Sequence, residues 1–438
     1  MLSIFPKDLI PLIKKVGKKY SKLKFHRMPK IPNDDILEKL LDTAYHASFL
    51  TEEERKCRFR IIYLSPNEIS SKSSSKYYDD KFRIIPFSDF RNFSPNEINR
   101  LSPVAEYERM LICVYNIAQQ KNQIDLKIWG IIDTGENWWR FIHHESCSGS
   151  PPPNAITIES LNPGEIKIST QGDFIIALRN GQIYQHEHDS FRKGPLADYL
   201  LPTQQRLYQD VLKKLGTKKF DKDDDDYPHK SYIFFLERIL FHLQQKKHGG
   251  CLIIIPSNLS RTDTRLIDRI NIKYPCDYNF AWELLVRHLI NHNKYYDLHA
   301  ALWDGKINFV EKDRSDEFQE YSMLSDEREN IENGMGDVAR AIACLSTIDG
   351  AVVMTDSFHV IGFGGEVIAT SPSLKEIFIH GDNPQQSVSV DNYGTRHRSA
   401  FRFCSSLDDS IAFIVSQDGG VKATKRVQDK VFLWPDII

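Results

Sequence analysis

The sequence is poor in the features that most quickly fix a protein's class. Its seven cysteines (Cys57, Cys113, Cys147, Cys251, Cys276, Cys344, Cys404) lie far apart, and no two form a Cys-x-x-Cys pair. Zinc-ribbon spacing is therefore excluded, and an odd, dispersed set reads as reduced thiols in a cytoplasm. Long apolar runs are missing too. Stretches such as Cys251 to Pro256 fall far below the ~20 residues of a membrane-spanning helix, so no membrane partner is expected. The opening Met1-Leu-Ser-Ile-Phe leads into Pro6-Lys7-Asp8 and a lysine-rich stretch, which does not read as a secretory signal. Neither sign of charge dominates, since the formal net charge is -2, and nucleic acid is not an expected partner. No solenoid-period repeat, no GxSxG and no HExxH occurs.

What is present is ordinary globular material. The chain has 438 residues, 41% hydrophobic and 26% charged. That length allows two or three domains, and that balance excludes wholesale disorder. Asp8 to Tyr20 and Asp34 to Phe49 carry apolar residues at helical spacing, with Pro29 and Pro32 between them. Arg58 to Leu64 alternates like a strand, and Ser70 to Lys76 is a polar loop. From Leu111 to Ile183 short apolar runs alternate with turn residues, which suggests a meander or small antiparallel sheet. Leu196 to Leu215 is again helical.

Asp221 to Asp226 (DKDDDD) is the sharpest break in composition. Five carboxylates in six residues repel one another, so the run reads as a solvated linker. A metal-binding acidic loop is the alternative, but the alternation and glycine of a calcium loop are missing. Beyond it the pattern becomes α/β. A helix over Ser231 to Lys246 precedes a fully buried strand, Cys251 to Pro256. Residues 258–335 are mixed, with a helical stretch at 279–292, a hairpin near 300–310 and a charged segment at 311–332. Gly336 to Thr347 is helical. Strands are expected at Ile348 to Thr355, Val360 to Gly364, Glu366 to Ala369, Ile411 to Ser416 and Val421 to Ala423.

Two short segments could carry chemistry. Asp349-Gly350-Ala351 leads into an apolar strand. Such a tripeptide is usually a plain turn, but glycine without a Cβ also permits close approach of a ligand. Gly394-Thr395-Arg396-His397-Arg398-Ser399-Ala400 sets two arginines around a histidine. Guanidinium groups bind phosphate oxygens in pairs, and a glycine-led turn into a helix aims N–H groups at an anion. The plain alternative is an exposed basic turn. Gly362-Phe363-Gly364-Gly365 lacks the spacing and lysine of a P-loop and reads as a hairpin. His143, His144 and His292 read as surface residues. Trp138-Trp139 lines a cleft or belongs to a core.

Together, Asp-Gly-Ala and Arg-His-Arg resemble the two signature motifs of the diadenylate cyclase (DAC) domain of the DisA/CdaA type, which condenses two ATP into cyclic di-AMP. The resemblance covers about residues 228–438, with 258–335 looking like an enlarged insert. Ile411 to Val415 is similar to the family's strand before a Ser-Glu-Glu turn, here Ser416-Gln417-Asp418. The first half, residues 1–222, resembles a sensor domain of the DACNV type found ahead of bacterial cyclase domains. Phe5 to Leu9, Ala44 to Ser48 and Trp129 to Asp133 carry that likeness, and His248 to Gly250, beyond that range, resembles the same group of proteins. The implied fold class is α/β: a mixed β-sheet flanked by helices, preceded by an α+β sensor-like domain.

The resemblance implies roles. Asp349 would support metal-assisted activation of the ribose 3′-hydroxyl. Gly350 and Ala351 would line the nucleotide pocket. Gly394, Thr395, Arg396, His397 and Arg398 would hold the ATP phosphates, and Ser416 would contact phosphate. Asp349 and Asp418 would bind Mg²⁺ or Mn²⁺. Each ATP must attack the other, so a homodimer with face-to-face domains is implied. Gln417 departs from the family's carboxylate, and Asp418 is one methylene shorter than glutamate. An impaired, non-catalytic sensor of ATP or a cyclic dinucleotide is therefore the alternative to a cyclase. A DNA-scanning role finds no support in the segment after the last strand. The ligand of the sensor domain is not legible.

Overall fold

The computed structural model describes residues 4–20, 31–52, 55–70, 82–118, 120, 123–145, 151–171, 173–179, 181–184, 190–220, 226–246, 248–303, 316–371, 373–380, 387–416, 420–435 and 437. Two compact units emerge. One comprises Met1–Ile142 and Ser148–Glu187, the other His143–Cys147 and His188–Ile438. The helix over Pro195–Leu215 thus packs in the second unit, ahead of the acidic run. That run up to residue 225, the loop after Ser70, most of the hairpin expected near 300–310, and the Gln417-Asp418 turn lie outside the described residues.

In the first unit, α1 (Ile10–Tyr20) and α2 (Asp34–Ser48) are followed by a two-stranded ribbon, β1 (Thr51–Glu52) and β2 (Arg55–Lys56). Then come β3 (Phe59–Tyr63), α3 (Pro66–Ser70), β4 (Arg83–Asn92), α4 (Pro95–Leu101), β5 (Met110–Asn116), β6 (Leu126–Asp133) and α5 (Asn137–Ile142). A run of four strands closes the unit: β7 (Ile156–Ser160), β8 (Ile166–Thr170), β9 (Asp173–Arg179) and β10 (Gln182–Tyr184). Eight strands form one sheet in the order β10-β9-β8-β7-β3-β5-β6-β4. The expected meander is real for β7 to β10. Its continuation is not, because β3 enters the middle of the sheet and pairs in parallel with β5. β4, α3, α4 and α5 escaped the sequence pattern. The residues of β4 are nearly all exposed, so no alternation marks them.

α2 starts where Asn33 accepts a hydrogen bond from Ile36 N–H at 2.9 Å, a side-chain cap. Its buried stripe, Leu37, Leu40, Leu41 and Ala44, joins Phe59, Ile61, Ile112 and Ile158 in the main core of this unit. At the end of β6, Asp133 receives two hydrogen bonds from Arg109, at 3.0 and 2.5 Å. That pairing holds its carboxyl below the usual range, against the opposing effect of burial.

In the second unit, α6 (Pro195–Leu215) and α7 (Tyr227–Gln245) lead to β11 (Gly250–Ile255), α8 (Thr264–Ile267) and β12 (Ile270–Tyr278). Two long helices follow, α9 (Phe280–Trp303) and α10 (Asp316–Leu345). The remainder is β13 (Ala351–Thr355), β14 (Val360–Val367), β15 (Glu376–Ile379), β16 (Ser387–Ser389), α11 (Thr395–Ser406), β17 (Ile411–Val415), β18 (Val421–Val427) and β19 (Lys430–Trp434). Nine strands order as β12-β14-β13-β11-β17-β18-β19-β15-β16.

This sheet is mixed and covered on both faces. β11 runs parallel to β13 and antiparallel to β17. Leu252, Ile254, Val352, Met354 and Phe413 pack with α6, α7, α9 and α10. Cys251, Ile253, Ala351, Val353 and Ile414 pack with Ala400, Phe401 and Cys404 of α11. Alternate residues facing opposite layers is the period-2 signature of a strand, and covered faces explain the unbroken apolar run at Cys251.

Several expectations need correction. Residues 258–335 supply an edge strand, β12, and helices whose Leu285, Leu289, Ile331 and Met335 lie in the core. The charged segment at 311–332 is helical from Asp316 onward. Val360 to Ala369 holds one strand, β14, with register shifts, instead of two. Gly362 to Gly365 is the middle of that strand and not a hairpin tip. His144 Nε2 sits 2.9 Å from Glu237, His143 stacks on Phe241 with ring centres 3.9 Å apart, and His292 stacks on Tyr227 at 3.8 Å. These three histidines are packed, not surface groups. No disulfide joins the six described cysteines, and no described helix is long and apolar enough to cross a membrane.

Candidate functional site

Sheet register gathers the two motifs at one end of the second sheet. Ala351 pairs with Cys251, Cys251 with Ile414, and Gly250 with Val415. Asp349-Gly350 before β13, Gly249 before β11, and Ser416 after β17 therefore lie together, on strands about 4.8 Å apart. Gly364 and Gly365 of β14 join from the other side, since Ala351 pairs with Gly365.

Glycine is required at these junctions. Gly350 has φ +117°, and a Cβ there would stand 2.6 Å from the carbonyl carbon of Gly364. Gly249 has φ +68°, and its Cβ would stand 2.5 Å from Arg396 Nη1 and 3.2 Å from Val415 O. Both angles are ones that residues with a side chain rarely adopt. The guanidinium of Arg396 thus lies directly over the backbone that enters β11.

Arg396 stands in the first turn of α11. Gly394 is the N-cap and offers no side-chain cap, although its carbonyl accepts from Arg398 N–H at 3.1 Å. The first N–H groups of the helix are therefore open to an incoming acceptor. Arg396 and Arg398 are half-buried, and neither side chain forms a hydrogen bond or ion pair with a described residue. Two guanidiniums without carboxylates at an uncapped helix start are chemically suited to phosphate oxygens.

His397, between them, is held neutral. Burial, with Lys422 and Arg396 nearby, pushes it down to about 4. Its ring is 5.5 Å from that of Tyr393, and its Nε2 is buried without a hydrogen-bond partner among the described residues. Lys422, opposite Ile414 in register, therefore stands on the same face as α11. Burial drives the neighbouring Cys251 thiol up to about 12, which makes it an inert part of the core.

The carboxylate of Asp349 is exposed and pairs with no described residue. Thr395 and Gly394 are exposed as well, Ala351 is buried at 3%, and Ser416 is half-buried with its N–H donating to Gly420 O at 3.0 Å. Among the described residues, no three His, Cys, Asp or Glu side chains surround one point that could hold a metal ion. Asp418 lies outside the described residues. The structure thus brings together Asp349, Gly350, Ala351, Arg396 and Ser416. Gly249 and the Gly364-Gly365 pair were missed as parts of this site. Their signal was the density of glycine beside apolar strands.

Trp138 and Trp139 sit on α5, none of whose residues is buried, so they are not core. Neither a curated protein nor a solved structure is significantly similar to the chain. One family model matches, and it covers residues 26–133, from before α2 to the end of β6: this part of the first unit is similar to the family described as "Probable sensor domain DACNV".

Proposed function

We propose that the protein is a diadenylate cyclase that converts two ATP into cyclic di-AMP and two pyrophosphates, with the N-terminal unit as its sensor. The observation that supports this most is the pairing of two unpartnered guanidiniums, Arg396 and Arg398, with an uncapped helix start beside the strand ends that carry Asp349-Gly350-Ala351. In the reaction the 3′-oxygen of one ATP bonds to the α-phosphorus of the other. The bond from that phosphorus to the bridging oxygen breaks, pyrophosphate leaves with the electron pair, and the 3′-proton is released. Repeating the step with roles exchanged closes the ring, so two copies must face each other. Arg396, Arg398 and the first N–H groups of α11 would hold the phosphates and the departing charge. Gly350 and Ala351 would line the nucleotide pocket, and neutral His397 would hold or orient the nucleotide without repelling the arginines.

The free carboxylate of Asp349 fits one ligand of Mg²⁺ or Mn²⁺, with Asp418 as a second by resemblance. Such an ion supplies Lewis-acid stabilisation of phosphoryl charge when bound. Asp349 would also draw the 3′-hydroxyl into place. The test is incubation with ATP and either metal, read by mass spectrometry. Cyclic di-AMP that disappears in Asp349→Ala supports the proposal, and unchanged product in that variant refutes it.

A second reading is a receptor for ATP or a cyclic dinucleotide that makes no product. Gln417, an amide where the resembling enzymes carry a carboxylate, is the feature in its favour. ATP binding without product under either metal would select it.

A further inference from the structure

We propose that the second face of the N-terminal sheet carries a binding site for a small organic anion with a planar ring, centred on Arg60, Thr157 and Trp139. The proposal rests on the reading of this unit as a sensor and gives that sensor a ligand class.

Phe59 and Ile61 of β3 face the core that α1 and α2 cover. Arg60 therefore points to the opposite face. Register sets Arg60 against Glu159, Ile62 against Thr157, Glu159 against Lys167 and Thr157 against Ser169. This puts a polar group in the middle of a sheet, and it is deeply buried: Arg60 is 3% exposed, Thr157 1%, Glu159 6% and Tyr107 8%.

The carboxylate of Glu159 is already served. It accepts from Ser169 Oγ at 3.0 Å and from Tyr107 OH at 3.2 Å, while Arg60 Nη1 donates to Tyr107 O at 3.4 Å. Among the described residues, Arg60 Nε has no hydrogen-bond partner, although Glu159 Oε1 is 3.8 Å away, and Thr157 Oγ1 has none either. A buried guanidinium donor and a buried hydroxyl left without partners are costly, and native sites fill such positions with water or a ligand.

Charge and shape select the ligand. Among the described residues, Arg58 lies over Tyr107, Arg60 over Trp139 and Lys167 opposite Glu159, so three cations meet one carboxylate and an anionic oxygen is wanted. Tyr107 and Trp139 meet edge to face with ring centres 5.5 Å apart, and Arg60 lies 5.6 Å from the Trp139 ring. Arg58 lies 5.0 Å from the Tyr107 ring. Aromatic and guanidinium planes side by side favour a flat partner. Trp139 belongs to α5, a helix with no buried residue, so this ring of the pair is partly exposed while Tyr107 is 8% exposed.

The test is calorimetric titration of the full chain with benzoate, phenyl phosphate, inorganic phosphate and benzyl alcohol. At least one aromatic anion is expected to bind saturably, and the tighter of the two identifies carboxylate or phosphate as the preferred group. Inorganic phosphate and benzyl alcohol, each with half the features, are expected to bind at least tenfold more weakly. Arg60→Met and the nearly isosteric Thr157→Val are expected to weaken binding at least tenfold, and Asp349→Asn to leave it unchanged. No saturable heat with either aromatic anion overturns the proposal, as does full affinity in a folded Thr157→Val or loss of binding in Asp349→Asn. The sensor reading fails separately, if a bound anion leaves ATP turnover unaltered.

Discussion

Arg396 Nη1 occupies the space that a side chain on Gly249 would need: the Cβ of any other residue there would stand 2.5 Å from it. Gly249→Ala therefore has two effects. The positive φ is strained by about 1 kcal/mol or more, and the guanidinium is pushed from its place. A modest fall in melting temperature with a disproportionate loss of ATP turnover is expected. Equal losses in Gly216→Ala, at another positive φ with open space around it, would show that strain alone is at work.

Gly350 and Gly362 test the packing of the neighbouring strands. A Cβ at Gly362 would stand 2.3 Å from Ile272 Cγ2 and 2.9 Å from Tyr274 O. Alanine at either position is expected to destabilise the second unit by about 1–3 kcal/mol. Urea unfolding followed by circular dichroism measures this.

Asp349→Asn should behave in the opposite way. The side chain is exposed and partners no described residue, so the melting temperature should move by less than about 1 °C, corresponding to a change well within the surface range. Product formation should fall by at least two orders of magnitude. A large stability loss would assign Asp349 a structural role instead.

His397 makes acid a destabilising condition. Its folded pKa is about 4, against 6.5 for the free side chain. The unfolded chain therefore takes up a proton first, and the contribution to stability declines as pH falls from about 6.5 towards 4. Stability against pH should flatten over that window in His397→Gln, and the ring should titrate below pH 5 by NMR. Titration near 6.5 would contradict the buried setting.

Arg109→Ala should cost the first unit roughly 2–3 kcal/mol, because Asp133 is left 7% exposed without its bidentate partner. The loss should shrink as pH falls through the depressed folded pKa of Asp133, since the pairing supplies stability only while the carboxyl is ionised. Thermal melts of both proteins at neutral and acidic pH measure it.

Much of the second sheet was legible because its strands are covered on both faces and read as unbroken apolar runs, as Cys251 to Ile255 does. The helices α1, α2, α6 and α7 showed their own periodicity. β4 and β12 were illegible for the converse reason. They lie at sheet edges, and exposed residues such as Arg83, Asp89, Lys273 and Tyr274 follow no alternation. The two motifs of the candidate site stood out by chemistry. Their meeting at one sheet end did not, because register between strands is a long-range property. Arg60 and Glu159 were hidden for the same reason, since each looks like an ordinary surface charge until the other strand is set beside it.

The parallel pairing of β11 with β13 has a kinetic consequence. Cys251 and Ala351 are direct partners, yet two long helices and an edge strand intervene in the chain. Such a contact closes a large loop before it gains any energy, and pairings of this kind form slowly. Every element of the candidate site hangs on that closure, from Gly249 to Arg396. Nascent or partly refolded chains should therefore present helices early and phosphate affinity late, so the rate at which ATP binding returns during refolding reports the moment when β13 docks beside β11.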